Sequence, residues 1–188
     1  MVLRAERLIL ASASPQRKAI LEQLGIAFDV RPSNAEELTE GDPAHVVVEN
    51  ARRKVEATEG DLVLGCDTEV YLDSRIFGKA DDEAQAGAYL RALSGRSHDV
   101  HSGLVLRGAG EERAAHAVTR VTFRSLSDSE ISWYLTTEEW RGRAGAYAIQ
   151  GRGSALVERI EGDFWNVVGL PVPKLVELAP GLVTSGRP

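Results

Sequence analysis

At 188 residues, the chain has the length of one domain, or of one elongated domain with two lobes. Its formal net charge of −6 argues against a duplex nucleic-acid binder, and its single cysteine, Cys66, excludes a disulfide framework and a Cys-rich zinc site. No apolar run is long enough to span a bilayer and no signal-peptide pattern is present, so we expect a cytoplasmic protein. We expect one domain over residues 1–183 and a loose tail over residues 184–188.

The first predicted elements are a short strand and a helix, joined by a turn that carries hydroxyl groups. Residues 8–11 form an apolar run typical of a buried strand, and Ser14 followed by Pro15 predicts the start of a helix. A helix N-terminus presents unpaired N–H groups and partial positive charge, so Ser12, Ser14 and Arg17 can converge on an anion there. Ordinary helix capping with a solvated arginine is the alternative interpretation.

A second helix is predicted to begin at Asp42, because this N-cap residue precedes a proline at the first helical position. Its apolar residues recur with helical spacing, at Ala44, Val47, Val48, Ala51 and Val55. Lys54 lies at the edge of this apolar stripe. A lysine in that place either covers apolar surface with its aliphatic stem or directs a cation into a cleft.

The apolar run over residues 62–66 predicts a buried strand that ends at Asp67 and Thr68. Open α/β sheets bind ligands at the carboxyl ends of their strands, so Asp67 is a candidate for activating water or holding a metal. The alternative is that Asp67 caps the turn that follows. Cys66 is predicted to be a small core residue.

The rest of the chain predicts further strands and helices with fewer chemically distinctive residues. In chain order we expect a hairpin, a helix, two antiparallel strands, a capped helix, a strand and a final helix, over residues 69–77, 81–93, 100–107 with 114–123, 127–135, 155–160 and 171–178. Lys79 follows the hairpin in a loop, where a solvated side chain is the default. Gln150 lies in a segment rich in small residues, and its amide can read a base edge or bond to the backbone of a turn.

Several short motifs, in their order and spacing, resemble the Maf family of nucleoside triphosphate pyrophosphatases over nearly the whole length. They are Ser12–Arg17, Asn34–Glu37, Ala51–Lys54, Gly65–Thr68, Gly78–Lys79, Leu93–Gly95, Gly145–Gly151 and Asn166–Pro171. The resemblance implies an elongated, two-lobed α/β fold, with a mixed sheet flanked by helices and a central cleft, shared with inosine triphosphate pyrophosphatases. It also implies hydrolysis between the α- and β-phosphates, which gives a nucleoside monophosphate and pyrophosphate.

The resemblance also implies roles for individual residues. It makes Asp67 the catalytic carboxylate that activates water, and Glu37 its partner in holding a divalent metal, Mg²⁺ or Mn²⁺. The residues that would hold the phosphates are Ser12, Ser14, Arg17, Lys54 and Lys79. Phosphoryl transfer needs cations on the non-bridging oxygens and an oriented water, and this set of residues meets both needs.

Three positions are expected to carry the preference for a base. Thr68 and Gln150 resemble the subgroup of the family that acts on dTTP and UTP, rather than the subgroup that acts on 7-methyl-GTP. Gln16 departs from both subgroups, since arginine is usual in the first and tryptophan in the second. The preferred base is therefore left open between pyrimidine nucleotides and a broader range.

The main hypothesis is a metal-dependent pyrophosphatase that removes pyrimidine or modified nucleotides from the pool. The alternative is a nucleotide-binding regulator of cell division or septum formation without significant turnover. Single-stranded nucleic-acid binding ranks below both, because only 6% of the residues are aromatic and the net charge is acidic. A nucleotide is the expected partner, without nucleic acid or membrane, and a homodimer is an expectation from the family alone.

Overall fold

The computed structural model describes residues 7–184, which form an α/β fold around one mixed seven-stranded sheet. The strands are β1 (Leu8–Leu10), β2 (Phe28–Val30), β3 (Leu62–Leu72), β4 (Arg75–Phe77), β5 (Ser97–Gly108), β6 (Glu111–Phe123) and β7 (Val157–Glu161). The helices are α1 (Pro15–Gln23), α2 (Pro43–Glu56), α3 (Glu83–Leu93), α4 (Asp128–Leu135), α5 (Phe164–Val168), α6 (Val172–Leu178) and α7 (Pro180–Thr184), with a 3-10 turn at Arg152–Leu156. Within residues 7–184, no helix combines the length and apolar character that crossing a membrane requires.

The sheet has the order β2-β1-β3-β5-β6-β7, and β4 pairs with β3 outside this path. Strand β1 is parallel to both of its neighbours, β2 and β3, whereas β3 with β4 and β6 with β7 are antiparallel. The predicted α/β class with a mixed sheet is therefore confirmed. The elongated shape and the central cleft stay predictions.

The chain divides into two compact units, which are described separately. Unit 1 holds the residues up to Asp67, the segment Ser102–Ala117 and the residues from Gly169 onward. Unit 2 holds the segments Thr68–His101 and Val118–Val168.

Helix α2 lies against the sheet in unit 1 because two glycines leave room for its backbone. A Cβ on Gly65 of β3 would overlap the carbonyl oxygen of Ala51, and a Cβ on Gly103 of β5 would overlap that of Val47. Ala51 and Val47 are one turn apart on α2, so the helix is seated on both strands. The apolar contacts of this layer come from Ile9, Ala11, Ala51, Val55, Val63 and Val105.

Unit 2 has an aromatic core. Trp140, Tyr134 and Phe123 are among the largest fully buried side chains of the described chain, and they belong to one cluster with residues of α3 and α4. Helix α4 begins at the predicted capping box, in which Ser127 and Glu130 bond to each other's backbone. The predicted hairpin is also present, and Asp73 and Ser74 take positive φ values in its turn.

Three local predictions need correction. Strand β3 does not end at Asp67 and Thr68 but continues to Leu72, because Val70, Tyr71 and Leu72 are buried and extend the apolar strand. Asp67 therefore lies in the middle of a strand and does not cap a turn. The predicted strand over 155–160 begins only at Val157, after the 3-10 turn, and neither α5 nor α7 was predicted. Of the predicted tail, Thr184 is the last residue of α7, and residues 185–188 lie outside the described residues.

Candidate active site

A lysine of α2 and an aspartate of β3 form a buried ion pair in unit 1. The Lys54 ammonium donates to Asp67 Oδ1 at 2.6 Å, and the two residues are 8% and 4% exposed. The same ammonium lies 2.7 Å from Glu37 Oε1, whose side chain is 37% exposed. Lys54 therefore directs its cation at two carboxylates and does not merely cover apolar surface. The side chains of Lys54 and Asp67 reach each other because Gly65, two residues before Asp67, allows α2 to lie close to β3.

A second residue of α2, Asn50, holds the other oxygen of the same carboxylate. Its Nδ2 donates to Asp67 Oδ2 at 3.0 Å and to the carbonyl oxygen of Leu38 at 3.1 Å. Its Oδ1 accepts from the backbone N–H of Leu38 at 2.6 Å. Both oxygens of Asp67 thus have a donor, which is what a buried carboxylate requires.

Three carboxylates come close enough to hold one metal ion. One oxygen each from Glu37, Asp67 and Glu69 lies within 4.8 Å of the others. Carboxylate oxygens are the hard ligands that Mg²⁺ and Mn²⁺ prefer, and the Lys54 ammonium beside two of them already compensates their charge in the structure. The donor set fits a divalent cation of this kind.

The start of α1 forms the second part of the site in unit 1. Ser14 is the N-cap, and its Oγ accepts from the backbone N–H of Arg17 at 3.5 Å. Ser12 Oγ accepts from Arg17 Nη1 at 2.9 Å and from the backbone N–H of Ser14 at 3.3 Å. Gln16 Oε1 accepts from Ser14 Oγ at 3.0 Å. Arg17 is only 8% exposed, so the alternative of a solvated arginine does not hold.

One backbone carbonyl connects the two parts. Gly169 O accepts from Arg17 Nε at 2.9 Å and from the Cys66 thiol, with the sulfur at 3.3 Å. Cys66 directly precedes Asp67 in β3 and is fully buried, as predicted for a small core residue. Arg17 and the strand segment that carries Asp67 therefore converge on the same peptide group.

The remaining predicted residues lie in unit 2. Thr68 follows Asp67 in β3, Lys79 is exposed, and Gln150 is exposed at the end of the segment that begins at Ala144. Lys79 pairs with Ala144 in an isolated bridge, which joins the Lys79 loop to the segment that leads to Gln150.

The segment before Gln150 is fixed by two buried side chains. Tyr134 Oη accepts from the backbone N–H of Ala148 at 2.9 Å, and His98 Nε2 lies 2.9 Å from Tyr147 Oη. Burial lowers the pKa of His98 to about 4, so the ring is neutral at pH 7. Burial also raises the pKa of Tyr147. These buried contacts hold the backbone that leads to the predicted specificity residue.

Two residues of the site were missed by the sequence reasoning. Glu69 is two positions after Asp67, and the period of two along a strand would have placed both carboxylates on one face. Asn50 gave a weaker signal, namely a poor helix former in the middle of α2, one turn before Lys54. Neither contact partner of Asn50 is near it in the sequence.

Known proteins resemble this chain over nearly its whole length. The profile of the family described as Maf-like protein matches residues 7–181. A dTTP/UTP pyrophosphatase of Anaeromyxobacter sp. (strain Fw109-5) is 46% identical, with 98% of this chain and 92% of the relative covered. A dTTP/UTP pyrophosphatase of Thermus thermophilus is also 46% identical, with 91% of this chain and 92% of the relative covered. The chain belongs to the Maf-like protein family.

Proposed function

We propose that this chain is a nucleoside triphosphate pyrophosphatase that hydrolyses dTTP and UTP to the monophosphate and pyrophosphate. The observation that carries the proposal is the buried Asp67 carboxylate, which is held by Lys54 and Asn50 beside two further carboxylates. A chain that only binds nucleotides has no need of a buried carboxylate with this set of partners. The names of relatives at 46% identity support the same reaction.

In this mechanism Asp67 accepts a hydrogen bond from the attacking water and orients it toward the phosphorus. Lys54 pairs with the carboxylate and contributes a positive charge next to the reacting oxygens. Glu37, Asp67 and Glu69 would hold the divalent cation, Mg²⁺ or Mn²⁺. When bound, this cation supplies neutralisation of the negative charge on the phosphate oxygens.

The phosphate tail is assigned to residues that offer cations or hydroxyl groups, or that lie at a helix N-terminus. In unit 1 these are Arg17, Ser12 and Ser14 at the start of α1, because a helix N-terminus favours anions. Lys54 and, from unit 2, Lys79 complete the proposed set. Arg17 is held by Ser12 and Gly169, so its guanidinium is oriented before a phosphate binds.

The base is assigned to Gln16, Thr68 and Gln150. An amide side chain donates and accepts at once, which suits the alternating groups on the edge of uracil or thymine. Gln16 accepts a hydrogen bond from Ser14, so it links a residue assigned to the phosphates with the residues assigned to the base. We place the reaction in the cytoplasm with a nucleotide as the partner, and the homodimer remains an expectation.

A panel of triphosphates tests the proposal. Purified protein is incubated with dTTP, UTP, dCTP, dATP, dGTP and 7-methyl-GTP in Mg²⁺ or Mn²⁺, and pyrophosphate is measured against orthophosphate. We expect pyrophosphate from dTTP and UTP, and none with the Asp67→Asn variant. The matched control is Asp29→Asn, which removes a carboxylate of unit 1 that pairs with Arg7 at the surface. Orthophosphate as the product, or unchanged turnover in Asp67→Asn, contradicts the proposal.

Tight nucleotide binding without product would instead favour the regulator of cell division. The two outcomes are separated by measuring binding and turnover on the same protein sample.

A further inference from the structure

The most informative residue outside the predicted site is Asn50, which lies one helical turn before Lys54 on α2. It is completely buried, and its side chain makes three hydrogen bonds to groups that are far from it in the sequence. Leu38 is 12 positions before it and Asp67 is 17 positions after it. A buried amide inside a helix lowers stability unless its donors and acceptor are paired, so its presence here requires a reason beyond packing.

The three contacts fix the orientation of the amide. The Leu38 N–H must bond to an acceptor, which identifies the atom facing it as Oδ1. The Leu38 carbonyl and the Asp67 carboxylate both need donors, which identifies the other atom as Nδ2. Exchanging the oxygen and the nitrogen would break all three bonds. The side chain therefore has one arrangement only.

This arrangement assigns different tasks to the two oxygens of Asp67. Oδ2 is bound by Asn50, whereas Oδ1 faces Lys54. Without the Asn50 donor, Lys54 would be the remaining hydrogen-bond donor among the described residues, and the plane of the carboxylate could turn about the Cβ–Cγ bond. Asn50 thus fixes the plane of the carboxylate and the direction in which its other oxygen faces Lys54.

The same side chain holds the segment that carries Glu37. Asn50 bonds to both the N–H and the carbonyl of Leu38, the next residue after Glu37. Lys54 connects the same two segments through side chains, since it bonds to both Glu37 and Asp67. Two residues of α2, four positions apart, therefore join the Glu37 segment to β3.

We infer that Asn50 is a positioning residue for the pyrophosphatase reaction, which fixes the Asp67 carboxylate and the Glu37 segment relative to each other. The inference rests on the proposed function and adds to it a residue that does not contact substrate. Because reactivity depends steeply on the placement of the catalytic group, losing this residue should lower turnover more than substrate binding.

The test compares Asn50→Leu with Thr58→Val. Leucine has a similar volume and makes none of the three bonds. Thr58 is also buried, two residues after the end of α2, and its hydroxyl bonds to the Lys54 carbonyl. The described structure shows no hydrogen bond from this hydroxyl to Asp67 or Leu38. Thr58→Val therefore reproduces the loss of a buried hydrogen bond without touching the carboxylate. Asn50→Ser replaces Asn50→Leu if the leucine variant does not fold.

Three quantities are measured on each folded variant. For Asn50→Leu we expect kcat with dTTP to fall about 10-fold to 100-fold while KM changes by less than about threefold. We expect the Leu38 amide to lose its protection from hydrogen exchange. Binding of Mn²⁺ alone, measured by calorimetry without nucleotide, should weaken about tenfold, since Asn50 holds the Asp67 carboxylate and the segment that carries Glu37. Thr58→Val should leave all three within about twofold of the unchanged chain.

A folded Asn50→Leu protein with kcat within about twofold of the unchanged chain overturns the inference. It is also overturned if Thr58→Val loses turnover to the same extent, because the effect is then one of stability. If the unchanged chain releases no pyrophosphate, the proposed function fails. In that case the Mn²⁺ measurement still tests the role of Asn50. Equal affinities of Asn50→Leu and the unchanged chain for Mn²⁺ would overturn that role.

Discussion

Replacing Lys54 by methionine removes the cation that joins two carboxylates of the site. The ammonium lies 2.6 Å from Asp67 Oδ1 and 2.7 Å from Glu37 Oε1. Methionine is unbranched and apolar, so it keeps most of the packing of the lysine stem. Asp67, which is only 4% exposed, would keep Asn50 as a hydrogen-bond donor but lose its counter-ion.

The cost follows from the burial of this pair. Removing one partner of a buried ion pair destabilises a protein by about 3–5 kcal/mol, because the other charge stays buried without compensation. The remaining bond from Asn50 favours the lower end, so we expect about 3 kcal/mol. In a domain of 150–250 residues, each kcal/mol shifts Tm by about 2–4 °C, which predicts a fall of roughly 6–12 °C. Turnover should fall at least about 100-fold, since a positive charge next to the phosphates is lost.

The control is the neighbouring cation on the same helix. Arg53 pairs with Glu49 at 3.2 Å, and its side chain is 34% exposed. Pairs of this kind contribute about 0.3–0.5 kcal/mol, so Arg53→Met should lower Tm by no more than about 2 °C. Thermal unfolding followed by circular dichroism, together with pyrophosphate release, compares the two variants at one pH and ionic strength.

Equal Tm values for Lys54→Met and Arg53→Met would refute the reasoning, and so would full turnover in Lys54→Met. A second check combines Lys54→Met with Asp67→Asn. Because the buried charge is then removed together with its partner, the double variant should be more stable than the sum of the two single losses predicts.

Three further predictions concern the fold around the site. Gly65→Ala places a methyl group against the Ala51 carbonyl, so Tm and turnover should fall together. In Gly181→Ala a Cβ meets nothing within 4 Å, so turnover should stay the same and Tm should not fall, since alanine favours a helix. Burial lowers the pKa of His98 from 6.5 to about 4, so the unfolded chain takes up this proton first as the pH falls. The free energy of unfolding should therefore be highest above pH 6.5 and fall by about 3 kcal/mol between pH 6.5 and pH 4. In His98→Gln, Tm should depend less on pH over this range, and an unchanged slope would contradict the burial of a neutral His98. Ser14→Ala removes the N-cap of α1 and should cost about 1 kcal/mol in chemical unfolding, and a loss near zero would mean that the cap bond does not form in solution.

The elements with strong local signals were predictable from the sequence. Ser14 with Pro15, and Asp42 with Pro43, begin helices as predicted, because the capping oxygen and the fixed φ of proline act on adjacent residues. The capping box of α4 acts over three residues in the same way. The residue types of the site were available through the family motifs, but their mutual contacts were not.

The length of β3 could not be deduced from the residues around Asp67. A carboxylate in the middle of a buried strand is tolerated only because Lys54 and Asn50 provide donors, and both come from α2. The burial of Arg17 has a similar origin, since its partner Gly169 lies 152 positions away.

The sequence alone thus determined where most helices begin, where most strands lie and which residue types can serve phosphoryl transfer, because these depend on neighbours within one or two turns. Only the tertiary structure decided that Lys54 contacts Glu37 and Asp67, and that Asn50 contacts Asp67. Their contacts depend on how closely α2 docks on the sheet. Gly65 and Gly103 allow this close distance because neither has a side chain that would meet the α2 backbone. The sequence of α2 itself contains no pattern that predicts the distance.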